Sequence, residues 1–111
     1  MQQPVFSIIT ITYNASRWVE STILNVLSQS YPNIEYIIID GGSTDGTVDI
    51  IKQYASGVSY WVSEPDKGIY DAMNKGLQKA TGDYVWFVNA GDSLYTSDTV
   101  QGVASLIQKK K

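Results

Sequence analysis

Asp40 ends an apolar, β-branched run, YIIID at residues 36–40, and opens a loop, GGSTDG, that carries Ser43 and Asp45. A carboxylate at the end of a buried strand is costly to desolvate unless something pairs with it. Ionised, it only accepts hydrogen bonds, so a ligand N–H such as a pyrimidine imide would suit it. The backbone N–H groups of its own glycine turn would suit it equally, and the spacing leaves both partners open. Gly41, Gly42 and Ser43 permit positive φ and close backbone approach. Their pattern is neither the GxGxxG of dinucleotide-binding folds nor a Walker loop, and it follows the second strand rather than the first. Asp45 either faces the same crevice or caps the helix that starts near Thr47. A second run, GDYVWFVNAGDS at 82–93, supplies Asp83 and Asp92, and all four carboxylates are expected where strands run out into loops. Asp92, with Asn89 nearby, can help hold Mg2+ or Mn2+ when phosphate oxygens complete the shell. Gly-Asp-Ser is also ordinary turn chemistry. Lys75, in DAMNKG, pairs with a phosphate, projects into a base pocket or is simply solvated.

The elements that must position these groups alternate. Residues 5–13, VFSIITITY, read as a nearly continuous apolar strand covered on both faces. Ser16 is the expected N-cap of a helix in which Trp18, Val19, Ile23, Val26 and Leu27 recur at helical spacing. Strands over 35–40, 59–62 and 84–88 and helices over 47–54 and 69–79 follow, and Ser97 or Asp98 caps a last helix to Gln108. The order β-α-β-α-β-α-β-α predicts an α/β fold, a doubly wound and mostly parallel sheet with helices on both faces. The loops after the first, second and fourth strands then share the carboxyl edge, where such sheets build ligand crevices. Trp61, Trp86 and Phe87 are expected in the core, and Tyr70 in the core or a pocket wall.

Composition narrows the chemistry. A chain of 111 residues with 43% hydrophobic content is one ordered domain. Net charge is −3, but Lys109, Lys110 and Lys111 close the sequence, and without them five basic residues face eleven acidic ones. No basic face is left for nucleic acid, which excludes a phosphate-backbone binder. An acidic body that takes an anionic ligand needs a metal ion or helix N-termini to offset repulsion. With no cysteine and no histidine, disulfides, thiolate chemistry and imidazole ligation are excluded. Catalysis must then use carboxylates, lysine, tyrosine or a metal. No apolar run approaches the roughly 18 residues that span a bilayer, and no signal-peptide core is present. The terminal lysines read as a frayed, solvated end or as a peripheral contact with anionic lipid. The expected location is the cytoplasm, free or at the inner face of the membrane.

Taken together, SIITITYN at 7–14, STILNVLSQSYPNIEYIIIDGGSTDGT at 21–47 and SEPDKGIYDAMNKGLQKATGDYVWFVNAGD at 63–92 resemble family 2 glycosyltransferases. The likeness is to their N-terminal nucleotide-sugar-binding half, which has the Rossmann-like GT-A fold. It covers nearly the whole chain, and three blocks in this order are more specific than any one motif. The resemblance implies that Thr12 and Tyr13 lie beside a uracil, with Asn14 in the same turn. It implies that Asp40 receives the pyrimidine N–H, that Gly42, Ser43 and Asp45 flank it, and that Lys75 lies on the base and phosphate side. Asn89, Ala90 and Asp92 fall at the family's DxD position, with Asp92 as the metal ligand. The implied activity is transfer of a sugar from a nucleotide-diphosphate sugar, first of all a UDP-sugar, to a saccharide or lipid-linked acceptor. The family further implies inversion, metal assistance and a setting in surface polysaccharide biosynthesis.

Two departures qualify the resemblance. Where family members often carry Asp-x-Asp, this sequence reads Asn89-Ala90-Gly91-Asp92, so one carboxylate remains. In the family the acceptor pocket and catalytic base lie beyond that strand, whereas here the sequence stops one helix later, with no carboxylate after Asp98. The expectation is a nucleotide-sugar-binding domain over residues 1–111 of a longer enzyme, its catalytic base beyond Lys111. The rival reading is a non-catalytic nucleotide-binding module or an inactive fragment. A phospho-acceptor domain of similar topology would need paired acids after the first strand, and TYN offers none.

Overall fold

Isoleucine on both sides of two central strands sets the architecture. The computed structural model describes residues 3–92, 94 and 96–109. Its elements are β1 (Phe6–Thr12), α1 (Val19–Leu27), β2 (Ile34–Asp40), α2 (Thr47–Gln53), a 3-10 turn (Ala55–Gly57), β3 (Tyr60–Ser63), α3 (Ile69–Lys79), β4 (Tyr84–Phe87) and α4 (Thr99–Lys109). The four strands form one sheet in the order β3-β2-β1-β4, and every pairing is parallel. Side chains alternate between faces along each strand. Phe6, Ile8, Tyr36 and Ile38 pack with Val19, Ile23, Ile51, Val100 and Ala104, so α1, α2 and α4 cover one face. Ile9, Ile37 and Ile39 pack with Ala72 of α3 on the other. The expected doubly wound α/β sheet is what forms.

The order of strands decides where a ligand can bind. The chain steps from β1 to β2 to β3 in one direction, then returns to place β4 on the far side of β1. Connections that leave β1 in opposite directions open a crevice at the carboxyl ends of the strands. Register brings Thr12 opposite Asp40 and Asp40 opposite Ser63, so three strands end at one rim. Beneath it, Thr10 Oγ1 donates to Val88 O at 2.6 Å and lies 2.8 Å from the Tyr36 hydroxyl. The single Thr10 proton goes to Val88, so Tyr36 must donate to Thr10. That buried chain ties β4 to the two central strands, and burial raises the Tyr36 phenol above its usual range.

Several expectations need correcting. Ser16 does not cap α1: the helix follows a turn in which Trp18 N and Val19 N both donate to Ala15 O at 2.9 Å, and Trp18 holds the cap position without a side-chain bond. The buried stripe of α1 is Val19, Thr22, Ile23 and Val26, whereas Trp18 is 53% exposed and Leu27 lies at the margin. Tyr70 is 79% exposed and belongs to no core. Trp61, Trp86 and Phe87 are half-buried and pack against the edges of the two clusters. Asp83 precedes β4 rather than following it, so it lies at the amino edge, where its carboxylate accepts the Val5 N–H at 2.8 Å. Glu35 lies at that edge too; burial pushes its carboxyl up, but hydrogen bonds from Ser7 and Thr81 outweigh this and hold it below the usual range. The amino edge is a brace, and the carboxyl edge is left for function. Ser93, Lys110 and Lys111 lie outside the described residues. No helix among the described residues is long and apolar enough to cross a membrane.

Candidate functional site

The loops after β1 and β2 are laced into one unit. Asn14 takes a left-handed backbone, φ 47°, which asparagine tolerates better than most residues. That turn aims its Oδ1 at Thr44 N (2.8 Å) and its own N–H at Ser43 Oγ (2.7 Å). Ala15 N donates to Thr47 Oγ1 at 2.9 Å, Ser16 N to Asp45 Oδ2 at 3.1 Å, and Gly41 N to Thr12 O at 3.0 Å. Asp45 is a staple between the loops, and its other oxygen receives both Thr47 N and Thr47 Oγ1. The Thr47 hydroxyl bond, helped by the Ser16 and Thr47 amides, lowers its carboxyl from the ordinary 3.8 to about 2.

A pH dependence follows. Because the folded-state value is depressed, the stabilisation from Asp45 is present above the ordinary carboxylate range and is lost as pH falls through about 2. The melting temperature of Asp45→Asn should lie below that of the parent near pH 6, and the gap should close as the pH approaches 2. Parallel thermal melts across that range check it; a gap independent of pH would remove Asp45 from the staple.

Asp40 is fully buried. One oxygen accepts Gly42 N (3.1 Å), Ser43 N (2.8 Å) and Ser63 Oγ (2.7 Å), and the other accepts Ser43 Oγ (2.6 Å). A carboxylate has about four acceptor positions, so this one is satisfied by its own turn and by the neighbouring strand. Of the two partners the sequence left open, the glycine turn is the one the fold supplies. Gly42, at φ 88°, makes the turn feasible.

In front of the laced loops lies a cavity of about 570 Å3. Thr12, Tyr13, Gly41, Pro65, Asp66 and Ile69 line it, with Ile11 and Ala72 adding apolar surface. Thr12 is 3% exposed, and its hydroxyl has no partner among the described residues, whereas Tyr13 is 63% exposed. Of the residues singled out from the sequence, Thr12 and Tyr13 line the cavity; Asn14, Ser43 and Asp45 brace it; Asp40 lies behind it. Lys75 does not line the cavity; its Nζ lies 3.3 Å from Glu64 Oε1, 3.3 Å from Pro65 O and 3.9 Å from Asp71 Oδ2. It fastens the β3–α3 loop. Asp66, Ile69 and Ala72 were not singled out. A signal for them exists, because in a parallel sheet the SEPDK loop after β3 must reach the same edge as TYN and GGSTDG.

The loop after β4 occupies the other flank of β1. Ala90 N donates to Ile11 O at 3.3 Å, and Gly91, φ 97°, donates to Thr22 Oγ1 at 3.0 Å. Among the described residues Asn89 Oδ1 is buried without a partner, and Asp92 is exposed. Among the described residues no group of three or more carboxylates is close enough to hold a metal alone. One exposed carboxylate and one buried amide oxygen fit a hard cation only if ligand oxygens complete its shell.

The family model for glycosyl transferase family 2 matches residues 7–111. The chain belongs to glycosyl transferase family 2. An uncharacterised glycosyltransferase of Mycobacterium tuberculosis is 43% identical over 108 residues, covering 96% of this chain and 41% of the relative. The putative teichuronic acid biosynthesis glycosyltransferase TuaG of Bacillus subtilis is 42% identical over 93 residues, covering 81% and 37%. Among solved structures, S. aureus TarS in complex with UDP-GlcNAc superposes with a TM-score of 0.85 at 25% identity, over 95% of this chain and 31% of that one. The mannosyltransferase PcManGT from Pyrobaculum calidifontis, in complex with GDP-Man and Mn2+, gives 0.82 at 26% identity, over 97% and 32%. The fold is the Rossmann-like GT-A arrangement of these neighbours. The chain spans about two fifths of the length of the first of these relatives.

Proposed function

We propose that residues 1–111 form the donor-binding domain of a glycosyltransferase that uses a nucleotide-diphosphate sugar, a UDP-sugar in the first instance. The observation that carries this reading is the cavity at the carboxyl edge, with an exposed tyrosine, an unpartnered buried hydroxyl and apolar surface. A nucleoside needs such a space: a face to stack on, a few polar groups for its edges and little else. Tyr13 stacks on the base, Thr12 Oγ1 meets a base or ribose oxygen, and the backbone at Gly41 admits close approach. Asn14, Ser43 and Asp45 hold that geometry and touch the nucleotide, where they do, through the loop backbone. The diphosphate extends past Thr12 toward Asn89, Ala90 and Asp92.

Asp92, with Asn89 Oδ1, would hold Mg2+ or Mn2+ beside the diphosphate; when bound, that cation neutralises charge on the departing phosphate. Lys75 adds a positive charge beside the β3–α3 loop, screened by Glu64 and Asp71. In the transfer itself, the bond from the anomeric carbon to the β-phosphate oxygen breaks and its electron pair leaves with the nucleoside diphosphate. The acceptor hydroxyl oxygen bonds to the anomeric carbon from the opposite side, which inverts it, and the hydroxyl proton passes to a base. We place that base, and the saccharide or lipid-linked acceptor, in the part of the relatives' length that this chain does not cover. Surface polysaccharide biosynthesis is the proposed setting, at the cytoplasmic face of the membrane, and the teichuronic acid relative supports it.

Calorimetric titration with UDP, with and without Mn2+, tests the reading: saturable heat is expected, larger with the cation. The absence of heat under both conditions contradicts it. Tyr13→Ala should weaken UDP by about tenfold, since stacking on an aromatic ring is worth about 1–3 kcal/mol per base. Its melting temperature should stay with the parent's, because the ring is largely exposed. Equal UDP affinity in the variant would remove Tyr13 from the site.

A further inference from the structure

We infer that Asp66, rather than Asp40, is the carboxylate that reads the donor's base, and that it selects a base presenting an N–H on its pairing edge, uracil above cytosine. The inference rests on the donor-binding reading and names the group that gives it specificity. Three observations lead to it. Asp40 is fully buried and already accepts hydrogen bonds from four donors of the protein itself. Asp66 does have capacity: its Oδ1 accepts Gly68 N at 3.1 Å, and no hydrogen bond reaches Oδ2 among the described residues.

The third observation is position. A Cβ placed on Gly41 would lie 2.8 Å from Asp66 Oδ2 and 3.4 Å from Tyr13 Cδ1. The free oxygen therefore lies over the glycine backbone, on the side that Tyr13 Cδ1 also approaches, and Asp66 and Tyr13 both line the cavity. Glycine at 41 is what leaves room for it, since any side chain would occupy the same space.

The chemistry is complementary to an imide. Uracil presents oxygen, N–H and oxygen along its pairing edge, so a carboxylate takes the N–H while a hydroxyl such as Thr12 Oγ1 can donate to a flanking oxygen. Cytosine presents a lone pair at the central position, and a carboxylate facing it is left unpaired in a partly closed space. An unmet polar group of that kind rejects the wrong ligand more strongly than a lost apolar contact does.

Calorimetry with UDP and CDP on the parent chain, Asp66→Asn, Asp66→Ala and Asp40→Asn separates the possibilities, with thermal melts in parallel. The parent should favour UDP over CDP by about tenfold or more. Asp66→Asn should bind UDP more weakly and shrink that ratio, because its neutral amide oxygen accepts the uracil N–H less strongly and its amide N–H can donate to the cytosine lone pair, while its melting temperature stays with the parent's. Parent-like UDP affinity and preference in both Asp66 variants overturn the assignment and leave the donor site intact. Failure of the parent to bind either nucleotide overturns the donor reading, and the assignment with it. Loss of UDP binding in Asp40→Asn with an unchanged melt would return the role to Asp40.

Discussion

Asp40→Ala should lower the melting temperature by about 10 °C or more, before any ligand is considered. The substitution leaves the amides of Gly42 and Ser43, and the hydroxyls of Ser43 and Ser63, facing an empty buried site. Hydroxyls can turn to other acceptors, but backbone amides cannot. Each orphaned buried donor costs about 1–3 kcal/mol, so two give roughly 3 kcal/mol. In a domain of this size about 1 kcal/mol corresponds to about 4–8 °C. Nucleotide affinity should fall as well, but only because the Gly41–Ser43 turn no longer presents the cavity rim. Circular dichroism melts check the stability; a melt unchanged from the parent would mean that the turn stands without its carboxylate.

Gly76→Val should be of similar severity, for a different reason. A Cβ on Gly76 would meet Ile9 Cγ2 at 2.7 Å and Ile9 Cδ1 at 3.2 Å, with Ile39 Cγ1 at 3.6 Å. Ile9 is β-branched, stiff at χ1 and held in the central strand, so it cannot swing away. Overpacking of this kind costs about 1–3 kcal/mol, and valine adds two methyl groups beyond the Cβ. The alternative to a strained core is for α3 to lift from the sheet, which would carry Ile69 and Ala72 away from the cavity. A melting temperature lower by about 10 °C, with weakened UDP binding, is the expected pair of results. Gly76→Ala should be milder, because alanine regains about 1 kcal/mol of helix propensity. A parent-like melt for Gly76→Val would show that α3 does not pack as closely as these distances require.

The architecture was legible because the decisive residues carry their own period. Isoleucine and tyrosine alternate faces in β2, Val19, Ile23 and Val26 recur at helical spacing, and Gly and Pro punctuate between them. Order and parallelism then fixed a common rim, and the loops of Thr12, Asp40 and Asn89 do meet there. Side-chain direction at that rim was not legible. Whether Asp40 turned to a ligand or to its own loop depended on Ser63, which lies 23 positions further on and becomes a neighbour only through strand register. Asp66 gave no periodic signal, since its value lies in what Gly41 lacks. Ser16 failed as a cap because the turn before α1 closes through Ala15 O, a backbone acceptor that no residue preference reveals. Asp83 misled because it flanks the same apolar run as Asp92, at its opposite end.

Amide chemical-shift mapping during a UDP titration is the most direct measurement of where this chain takes a nucleotide. Shifts are expected at Thr12, Tyr13, Gly41, Asp66, Gly68 and Ile69, with little change at Val5, Thr81 or Asp83 on the opposite edge of the sheet. Shifts concentrated at that opposite edge, or no shifts at saturating UDP with Mn2+, would contradict the placement of a donor pocket among the loops that follow β1, β2 and β3.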